Sequence, residues 1–425
     1  MLSLLTLYLL GVGSLSLAMG IQIIILPWLA VDALALAPDW VGWIQAAVLI
    51  PNLLLLLFAG AVVDRRRGLS VMPLVLGILA LAHSTLYLML NLHWLSFITL
   101  FIYAICVGAI QGVIQPWREY LLSQLDVQQL QSVIAKSSLC QYAGQAIGIM
   151  AAIFLHVIGI KILLLAQIII VICAGIFFWC LQRRLATDRS TDNQASNSTV
   201  VMPLIVTLRD GLISTWRQPT LRHLIAFISF NGCFHIGVFV VALPLLVRDI
   251  YAKDLAFYAG LQLAFISGTI VATIAILRSA EVAFPGRRLL FSLLYSGIIL
   301  LGISAKPTVV GVVMLTFFWG LVAGVSSNMG RAILQAFSVS AYRGRSISIY
   351  QLALFGAAPI GALVAGYAIA SIGVLAVLKV SGIISILMFA ASLLTKPLWA
   401  VESAELRLDK QLPEGKQTCG DSDIK

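Results

Sequence analysis

The side chains best suited to proton chemistry are few, because only 10% of the 425 residues are charged. His235 lies beside Asn231 in a long apolar run, and histidine titrates in the range useful for taking up and releasing protons. Ionisable groups among apolar residues are costly and are therefore candidates for function. We predict His235 as the protonatable residue; the alternative for it, as for His83 and His156, is a packed or interfacial histidine.

A second group of polar side chains is uncharged and lies within apolar runs. Amide side chains offer both hydrogen-bond donors and acceptors, so they can line a cavity that binds a small polar molecule. The candidate cavity residues are Gln22, Asn52, Gln111, Gln141, Gln145 and Asn231. The alternative is that they hydrogen-bond between helices, an interaction worth about 0.6 kcal/mol on average.

Charge is concentrated in residues 60–67, directly after an apolar run. An acid at a helix end can pair with an arginine of a neighbouring helix, and glycine lets two helices approach closely. Such a pair can hold one face of a helical bundle closed. The predicted latch residues are Gly60, Asp64, Arg65, Arg67, Arg118, Arg331, Arg343 and Arg345. The alternatives are a membrane anchor for Arg66 and Arg67, and a solvated pair for Arg118 with Glu119.

The elements that position these residues are transmembrane helices. The chain is 61% hydrophobic, whereas a soluble domain has about 25% charged residues and so cannot be built from this composition. Barrel strands alternate polar and apolar residues, but the runs here, such as 162–181, are almost continuously apolar. The formal charge of +10 lies in alternate loops without interleaved aromatic residues, which argues against a nucleic-acid partner.

The apolar runs predict an all-α membrane protein of twelve helices. The predicted helices are 4–31, 40–63, 70–91, 95–115, 133–158, 162–182, 222–247, 255–277, 289–305, 308–330, 346–370 and 374–395. A polar stretch divides them into two six-helix bundles, 1–182 and 222–395. It is read as a cytoplasmic linker, 183–221, with an interfacial helix around Ile205 to Trp216. Residues 396–425 are predicted to form a flexible cytoplasmic tail.

Orientation follows from the loop charges. Most Lys and Arg residues lie in the linker, the tail and the loops after helices 2, 4, 8 and 10, while few lie in the other loops. Since cytoplasmic loops carry the excess of Lys and Arg, both termini are expected in the cytoplasm and the chain in the cell inner membrane.

Several classes of function find no support. Five of the six cysteines lie in apolar runs without a CxxC pair, so neither a disulfide nor a metal site is expected. A Walker motif for ATP is absent, and no cluster of His, Asp and Glu supports an intramembrane lipid-modifying enzyme. We predict no cofactor, a monomer, and small-molecule transport; a transporter-like sensor is a further alternative.

The two halves resemble one another. Helix 4 contains Gly108-x3-Gly112 and then Arg118, while helix 10 contains Gly320-x3-Gly324 and then Arg331. Internal repeats of this kind are common in secondary transporters, with the binding site between the repeats. The glycines of helices 4, 5 and 11 are predicted to be close-packing positions, and Pro27, Pro51 and Pro359 to bend their helices.

Five motifs carry a resemblance to a known family. They are Gly60-x3-Asp64-Arg65; Leu26-Pro27-Trp28-Leu29; Gln115-Pro116-Trp117-Arg118; Leu208-Arg209-Asp210-Gly211-Leu212 with Arg217-Gln218-Pro219-Thr220-Leu221-Arg222; and Arg343-Gly344-Arg345 with Gly356, Pro359, Gly361 and Gly366. Together they resemble the major facilitator superfamily, in particular its enterobactin-exporter and macrolide-efflux branch.

This resemblance implies the major facilitator fold and proton-driven export of a siderophore or related metabolite or drug by alternating access. Two departures stand out. Gln145, not proline, follows Gly144 in helix 5, unlike the antiporter signature, so import of a siderophore or nutrient stays an alternative. The loop after helix 8 keeps Arg278, Gly286, Arg287 and Arg288 of the first-loop signature but has no Asp.

Overall fold

A computed structural model describes residues 3–65, 71–123, 125, 130–154, 159–191, 216, 218–278, 284–337, 343–394 and 397–401. The described chain contains twelve long helices, in agreement with the predicted all-α fold. Their bounds are α1 Leu4–Ala33, α2 Pro38–Arg65, α3 Val71–Asn91, α4 Phe97–Ser123, α5 Leu130–Ile153, α6 Ile160–Thr191, α7 Pro219–Ile250, α8 Leu255–Arg278, α9 Pro285–Ser304, α10 Val309–Phe337, α11 Arg343–Ile372 and α12 Val374–Ser392.

Eleven of these helices are long and apolar enough to cross a membrane, and α5 is the exception. Its polar residues explain this, since Lys136, Ser137, Gln141 and Gln145 all lie on it. At about 1.5 Å per residue, its 24 residues still extend for about 36 Å, enough for the hydrocarbon core. Helix α5 packs against α1 and α8, with Ser137 buried and Gln141 and Gln145 half-buried, whereas Lys136 is exposed.

Several helices are longer than predicted at the end that carries charge. Helix α4 continues to Ser123, α6 to Thr191 and α10 to Phe337, each through residues read as loop. These extensions project beyond the apolar spans, where water rather than lipid solvates Arg and Asp side chains. The predicted interfacial helix and the tail beyond residue 401 lie outside the described residues, apart from Trp216.

The helices form two six-helix bundles, α1–α6 and α7–α12, with equivalent glycine contacts. In the first bundle a side chain on Gly108 or Gly112 would collide with the backbone carbonyls of α2 at Val48 and Asn52. In the second, a side chain on Gly320 or Gly324 would collide with α8 at Phe265 and Thr269. The predicted repeat is therefore present in the structure, and its glycines bring helix backbones into direct contact.

Helix 5 and its equivalent α11 use glycine in the same way. Gly144 and Gly148 lie on the α1 backbone, and Gly361 lies on the carbonyl of Cys233 in α7. The predicted close-packing role does not extend to Gly356, because a side chain there would meet the side chains of Leu53 and Leu352 at ordinary contact distances, 3.5 and 3.8 Å.

We call the side of the molecule that carries both chain ends the terminal face, and the other side the distal face. One hydrophobic cluster runs through the first bundle and includes the distal parts of the second, such as Val241, Tyr258 and Ala365. A second cluster is confined to the second bundle near the terminal face and contains Ile228, Leu293 and Tyr350. The two bundles are thus packed into one core at the distal face and have separate cores at the terminal face.

Candidate functional site

A cavity of about 300 Å³ lies inside the second bundle, between the two hydrophobic clusters. Five helices of that bundle, α7 to α11, contribute to its wall. The lining residues are Ile228, Asn231, His235, Ile236, Phe239, Phe265, Thr269, Ser292, Leu293, Ser296, Trp319, Ala323, Ser326, Ser327, Tyr350 and Leu354. Its volume is at the lower end of the range for small-molecule sites, about 300–1,000 Å³.

His235 is placed in the cavity wall by a local change in helix geometry. Residues Gly232–Gly237 of α7 form a π-helical stretch, a feature frequent at functional sites. The Nε2 atom of His235 lies 3.0 Å from the Oγ of Ser385 in α12, and this hydrogen bond fixes the ring. The side chain is only 6% exposed, and its Nδ1 has no hydrogen-bond partner among the described residues. His235 therefore presents one unused ring nitrogen in a buried position.

Aromatic rings form the distal end of the cavity. The indole of Trp319 meets Phe239 and Phe265 nearly at right angles, with ring centroids 5.1 Å and 6.0 Å away. Phe239 and Phe265 also contact each other, at 4.6 Å. His235 completes the group, with its ring 6.4 Å from that of Trp319. Edge-to-face packing of this kind is favourable and keeps the rings in fixed positions.

The hydroxyl groups of the wall differ in their hydrogen bonding. Thr269 donates to the carbonyl of Gly320 at 3.0 Å, and Ser292 donates to that of Leu289 at 2.6 Å. Ser326, which is 4% exposed, has no partner for its Oγ among the described residues. Buried polar groups are normally paired, so an unpaired hydroxyl in a cavity wall is suited to bind a ligand.

Among the described residues that line the cavity, none is an Asp, Glu, Lys or Arg. While His235 is neutral, a charged ligand would have to leave water without a partner of opposite charge, which is strongly unfavourable in an apolar site. The arrangement therefore suits an uncharged molecule that has an aromatic or apolar part and groups able to hydrogen-bond.

The first bundle uses its polar residues differently. The hydroxyl of Tyr103 (α4) lies 2.8 Å from Nδ1 of His83 (α3) and donates to Oε1 of Gln22 (α1), also at 2.8 Å. The amide nitrogen of Gln167 (α6) donates to the same Gln22 oxygen at 3.0 Å and to the carbonyl of Ala18 at 3.1 Å. All four side chains are buried. This network, which we call the α1–α6 network, joins four helices through polar contacts.

The structure separates the residues predicted from the sequence to share one cavity. Asn231 and His235 line the cavity of the second bundle, whereas Gln22 belongs to the α1–α6 network. The remaining four, Asn52, Gln111, Gln141 and Gln145, are half-buried in the first bundle and do not line the described cavity.

The predicted latch residues are described only in part. Arg118 lies at the end of α4 with 13% of its side chain exposed, and its guanidinium is 3.6 Å from the carboxylate of Glu119. Its carbonyl accepts a hydrogen bond from Tyr8 at 3.3 Å, and Arg331 is exposed. The other latch side chains lie outside the described residues: Gly60, Asp64 and Arg65 in the last turns of α2, Arg67 after it, and Arg343 and Arg345 at the start of α11.

The distal face holds contacts between the bundles that the sequence did not indicate; we call them the distal seam. Arg248, at the end of α7, donates to the carbonyls of Val31 at 2.7 Å and Leu36 at 3.3 Å. It also pairs with the carboxylate of Asp249. Arg248 thereby ties the second bundle to the α1–α2 connection of the first.

Aromatic contacts extend the distal seam. Trp28 stacks on Tyr258, with ring centroids 6.0 Å apart, and the indole of Trp43 donates to the hydroxyl of Tyr367 at 3.1 Å. Between α2 and α11, a side chain on Gly366 would collide with the carbonyl of Pro38. The two bundles are therefore in direct contact at this face.

Sequence reasoning missed most of the cavity and the seam. Two patterns in the sequence could have indicated a polar cavity wall: Ser292 and Ser296 on one face of α9, and the adjacent Ser326 and Ser327 within the apolar helix α10. Arg248 counted only as a loop cation, since nothing in the sequence shows that it meets the α1–α2 connection.

Comparison with known proteins agrees with the architecture. The family model of the Major Facilitator Superfamily matches residues 8–325. No curated protein sequence matches the chain. Similar solved structures include an auto-inhibited POT family peptide transporter, with a TM-score of 0.70, 12% identity and coverage of 92% of this chain and 96% of that one.

Two further structures show the same fold. The nucleoside transporter NupG has a TM-score of 0.68, 11% identity and coverage of 92% of this chain and 99% of that one. A bacterial homologue of the human lysosomal transporter Spinster has a TM-score of 0.62, 13% identity and coverage of 96% and 98%. With the family model matching most of its length, this chain belongs to the major facilitator superfamily.

Proposed function

We propose that this membrane transporter exports a small amphiphilic metabolite, of the siderophore or drug type, across the cell inner membrane in exchange for protons. The observation that carries the proposal is the unequal packing of the two faces. The bundles share one core and the distal seam at the distal face, whereas the cores at the terminal face are separate. This is the geometry of one end state of an alternating-access cycle.

The cavity supports a small-molecule substrate. It lies between the core that joins the bundles and the core confined to the second bundle. A ligand held there is close to the region where the bundles separate. Rocking of one bundle against the other would then close the terminal face and open the distal seam.

The direction of export is supported by charge and by resemblance. The Lys and Arg residues predominate in connections at the terminal face, which favours the cytoplasm for that face. In that orientation both termini are cytoplasmic, and the structure corresponds to the state that takes up substrate from the cytoplasm. The sequence resemblance to the enterobactin-exporter and macrolide-efflux branch favours export over import.

Proton coupling is assigned to His235 and to the latch at Asp64. His235 lies in the cavity wall with an unused ring nitrogen, so a proton there would change the electrostatics of the site directly. Asp64 lies at the terminal end of α2, where a pair with an arginine of a neighbouring helix would hold the terminal face closed in the other state.

Transport in oriented membrane vesicles tests this function. Vesicles with the cytoplasmic face outward and an acid interior are expected to accumulate an uncharged catechol-type iron chelator, and a protonophore is expected to stop accumulation. Asp64→Asn is expected to reduce the rate while the protein stays in the membrane. Accumulation only by vesicles of the opposite orientation would show import, and accumulation unaffected by the protonophore would remove proton coupling.

A further inference from the structure

Resting on the proposed transport function, we propose that the second bundle alone recognises the substrate, through a pocket for an uncharged ring that hydrogen-bonds to His235 and Ser326. The first bundle would then supply the moving partner rather than half of the binding site. The inference names both a binding site and the chemistry of its ligand.

Two buried polar atoms in the cavity wall lack partners, and they come from different helices. His235 Nδ1 is on α7 and Ser326 Oγ is on α10, and both side chains are more than nine-tenths buried. The half-buried amide of Asn231 lies one helical turn before His235 on the same wall. The side chains of Asn231, His235 and Ser326 thus line one partly open cavity, and each can take part in hydrogen bonds, which suits a ligand that carries hydroxyl or carbonyl groups.

The shape of the wall selects for a ring. Trp319 meets Phe239 and Phe265 edge-to-face, and the two phenylalanine rings contact each other at a tilt, so an aromatic ligand meets preformed ring faces and edges. While His235 is neutral, the described lining residues carry no charge, so an ion would lose its hydration without gaining a counter-charge. Size adds a limit, since a cavity of about 300 Å³ holds one ring system with its substituents rather than a large multi-ring molecule.

Among the described residues of the first bundle, the position equivalent to His235 carries no imidazole. Leu26-Pro27 of the first bundle matches Leu243-Pro244 of the second bundle, each followed by a π-helical turn at the distal end. This alignment places Ala18 opposite His235, and the carbonyl of Ala18 is used by Gln167 within the α1–α6 network. This position carries an imidazole with one unpaired nitrogen in the second bundle and a methyl group in the first.

Ser385 is a positioning residue for this pocket. It is fully buried on α12 and holds the Nε2 side of the His235 ring, which leaves Nδ1 as the free atom. Ser385→Ala is expected to weaken ligand binding although Ser385 does not line the cavity. Ser385→Thr, which keeps the hydroxyl, is expected to restore binding.

Direct binding to the full-length protein in lipid nanodiscs tests the pocket. The probe pair is 2-naphthol, an uncharged ring with a hydroxyl group, and 2-naphthoate, an anion of nearly equal size. With His235 neutral, we expect 2-naphthol to bind at least about tenfold more tightly than 2-naphthoate. Loss of one hydrogen bond in Ser326→Ala or Asn231→Ala should weaken 2-naphthol binding by about threefold to tenfold.

Ser16→Ala is the matched control. Ser16 is also a buried serine, 2% exposed with an unpaired hydroxyl, but it lies on α1 outside the cavity. Its variant should bind 2-naphthol as the wild type does, and nanodiscs without the protein measure partitioning into lipid. Equal binding of the two probes, or wild-type affinity in both Ser326→Ala and Asn231→Ala, would overturn the pocket.

This assay is independent of the proposed function, because it needs neither a gradient nor a direction. Selective binding that depends on Ser326, without transport in vesicles, would refute the transport proposal alone. Transport whose KM is unchanged in Ser326→Ala and Asn231→Ala would refute the pocket alone.

Discussion

In the first bundle, Tyr103, His83, Gln22 and Gln167 hydrogen-bond to one another, although Gln22 Nε2 and Gln167 Oε1 have no partner among the described residues. In the second, His235 and Ser326 leave polar atoms unpaired beside a cavity of about 300 Å³. Both bundles are built on the same glycine contacts, so the backbone frame does not explain the difference. The difference arises from the side chains that the two bundles carry.

The comparison suggests a division of tasks between two copies of one fold. Polar groups that pair with each other raise the cost of rearranging a bundle, whereas unpaired groups beside a cavity are available to a ligand. The first bundle is therefore interpreted as the stiffer body and the second as the body that binds. The distal seam, with Arg248 at its centre, is where the two are joined.

The largest loss of stability is expected at the glycine contacts between helices, where the two bundles are most alike. Gly108→Ala and Gly320→Ala each place a methyl group against a backbone carbonyl of the neighbouring helix, which cannot move aside as a side chain can. Overpacking costs about 1–3 kcal/mol in general, and more is expected here. Both variants should therefore lose most of their monodisperse protein in gel filtration.

Gly77→Ala and Gly260→Ala are the controls, one for each bundle, because a methyl group at either position meets no atom within 4 Å. They should be recovered in wild-type yield. If monodisperse Gly320→Ala were recovered but Gly108→Ala were not, the glycine contacts of the two bundles would not be equivalent.

The second largest effect is expected to be a loss of stability in the first bundle, without a change in ligand binding by the second. Tyr103→Phe removes the hydroxyl shared by His83 and Gln22 and leaves buried polar atoms unpaired, at a cost of about 1–3 kcal/mol. We expect a lower thermal unfolding temperature with unchanged 2-naphthol affinity. Tyr295→Phe, in the exposed surface of α9, should change neither quantity. A loss of affinity in Tyr103→Phe would contradict the division of tasks.

A smaller effect is expected at the junction between the bundles. Arg248→Ala removes the hydrogen bonds to the carbonyls of Val31 and Leu36. Because Arg248 is partly exposed, the distal seam should lose about 1 kcal/mol of stability, which raises the population with an open seam about fivefold. A cysteine placed at buried Ala365 should then react faster with a membrane-impermeant maleimide. Lys253→Ala removes an exposed cation on the same face and should leave the rate unchanged.

The smallest effect is expected at the rim of the distal seam. Trp43→Phe removes one indole hydrogen bond to Tyr367, and hydrogen bonds between membrane helices average about 0.6 kcal/mol. Labelling at Ala365 should rise by less than about threefold. Trp40→Phe is the control on the same helix, since Trp40 is exposed and contacts Phe97 of its own bundle. A larger effect from Trp43→Phe than from Arg248→Ala would reverse the order proposed for the seam.

The sequence was sufficient to predict the helices and the internal repeat. Continuous apolar runs predicted the twelve helices, and the spacing Gly108-x3-Gly112 and Gly320-x3-Gly324 predicted the repeat, because the physics of both is local. Helix α5 was predicted too, although Gln141 and Gln145 make it too polar for a lipid-facing span. Its shielding depends on α1 and α8, which the sequence of α5 does not show.

The site was predictable only in part. His235 and Asn231 were proposed as functional and do line the cavity, since a polar residue in an apolar helix is visible in the sequence. Gln22 looked the same but hydrogen-bonds to Tyr103 and Gln167, which are distant in the chain. Whether a polar side chain faces a cavity or a partner is decided by packing between helices, and no local pattern records it.

Distances across both faces, measured with spin-label pairs in a background without the native cysteines, test the central claim most directly. One pair joins Asp32 and Lys253 at the distal face, and the other joins Glu119 and Arg288 at the terminal face; all four side chains are exposed. Rocking bundles predict reciprocal changes on going from wild type to Arg248→Ala, so that the distal distance lengthens as the terminal distance shortens. A longer distal distance with an unchanged terminal distance would contradict the account, because the seam would then open without moving the bundles.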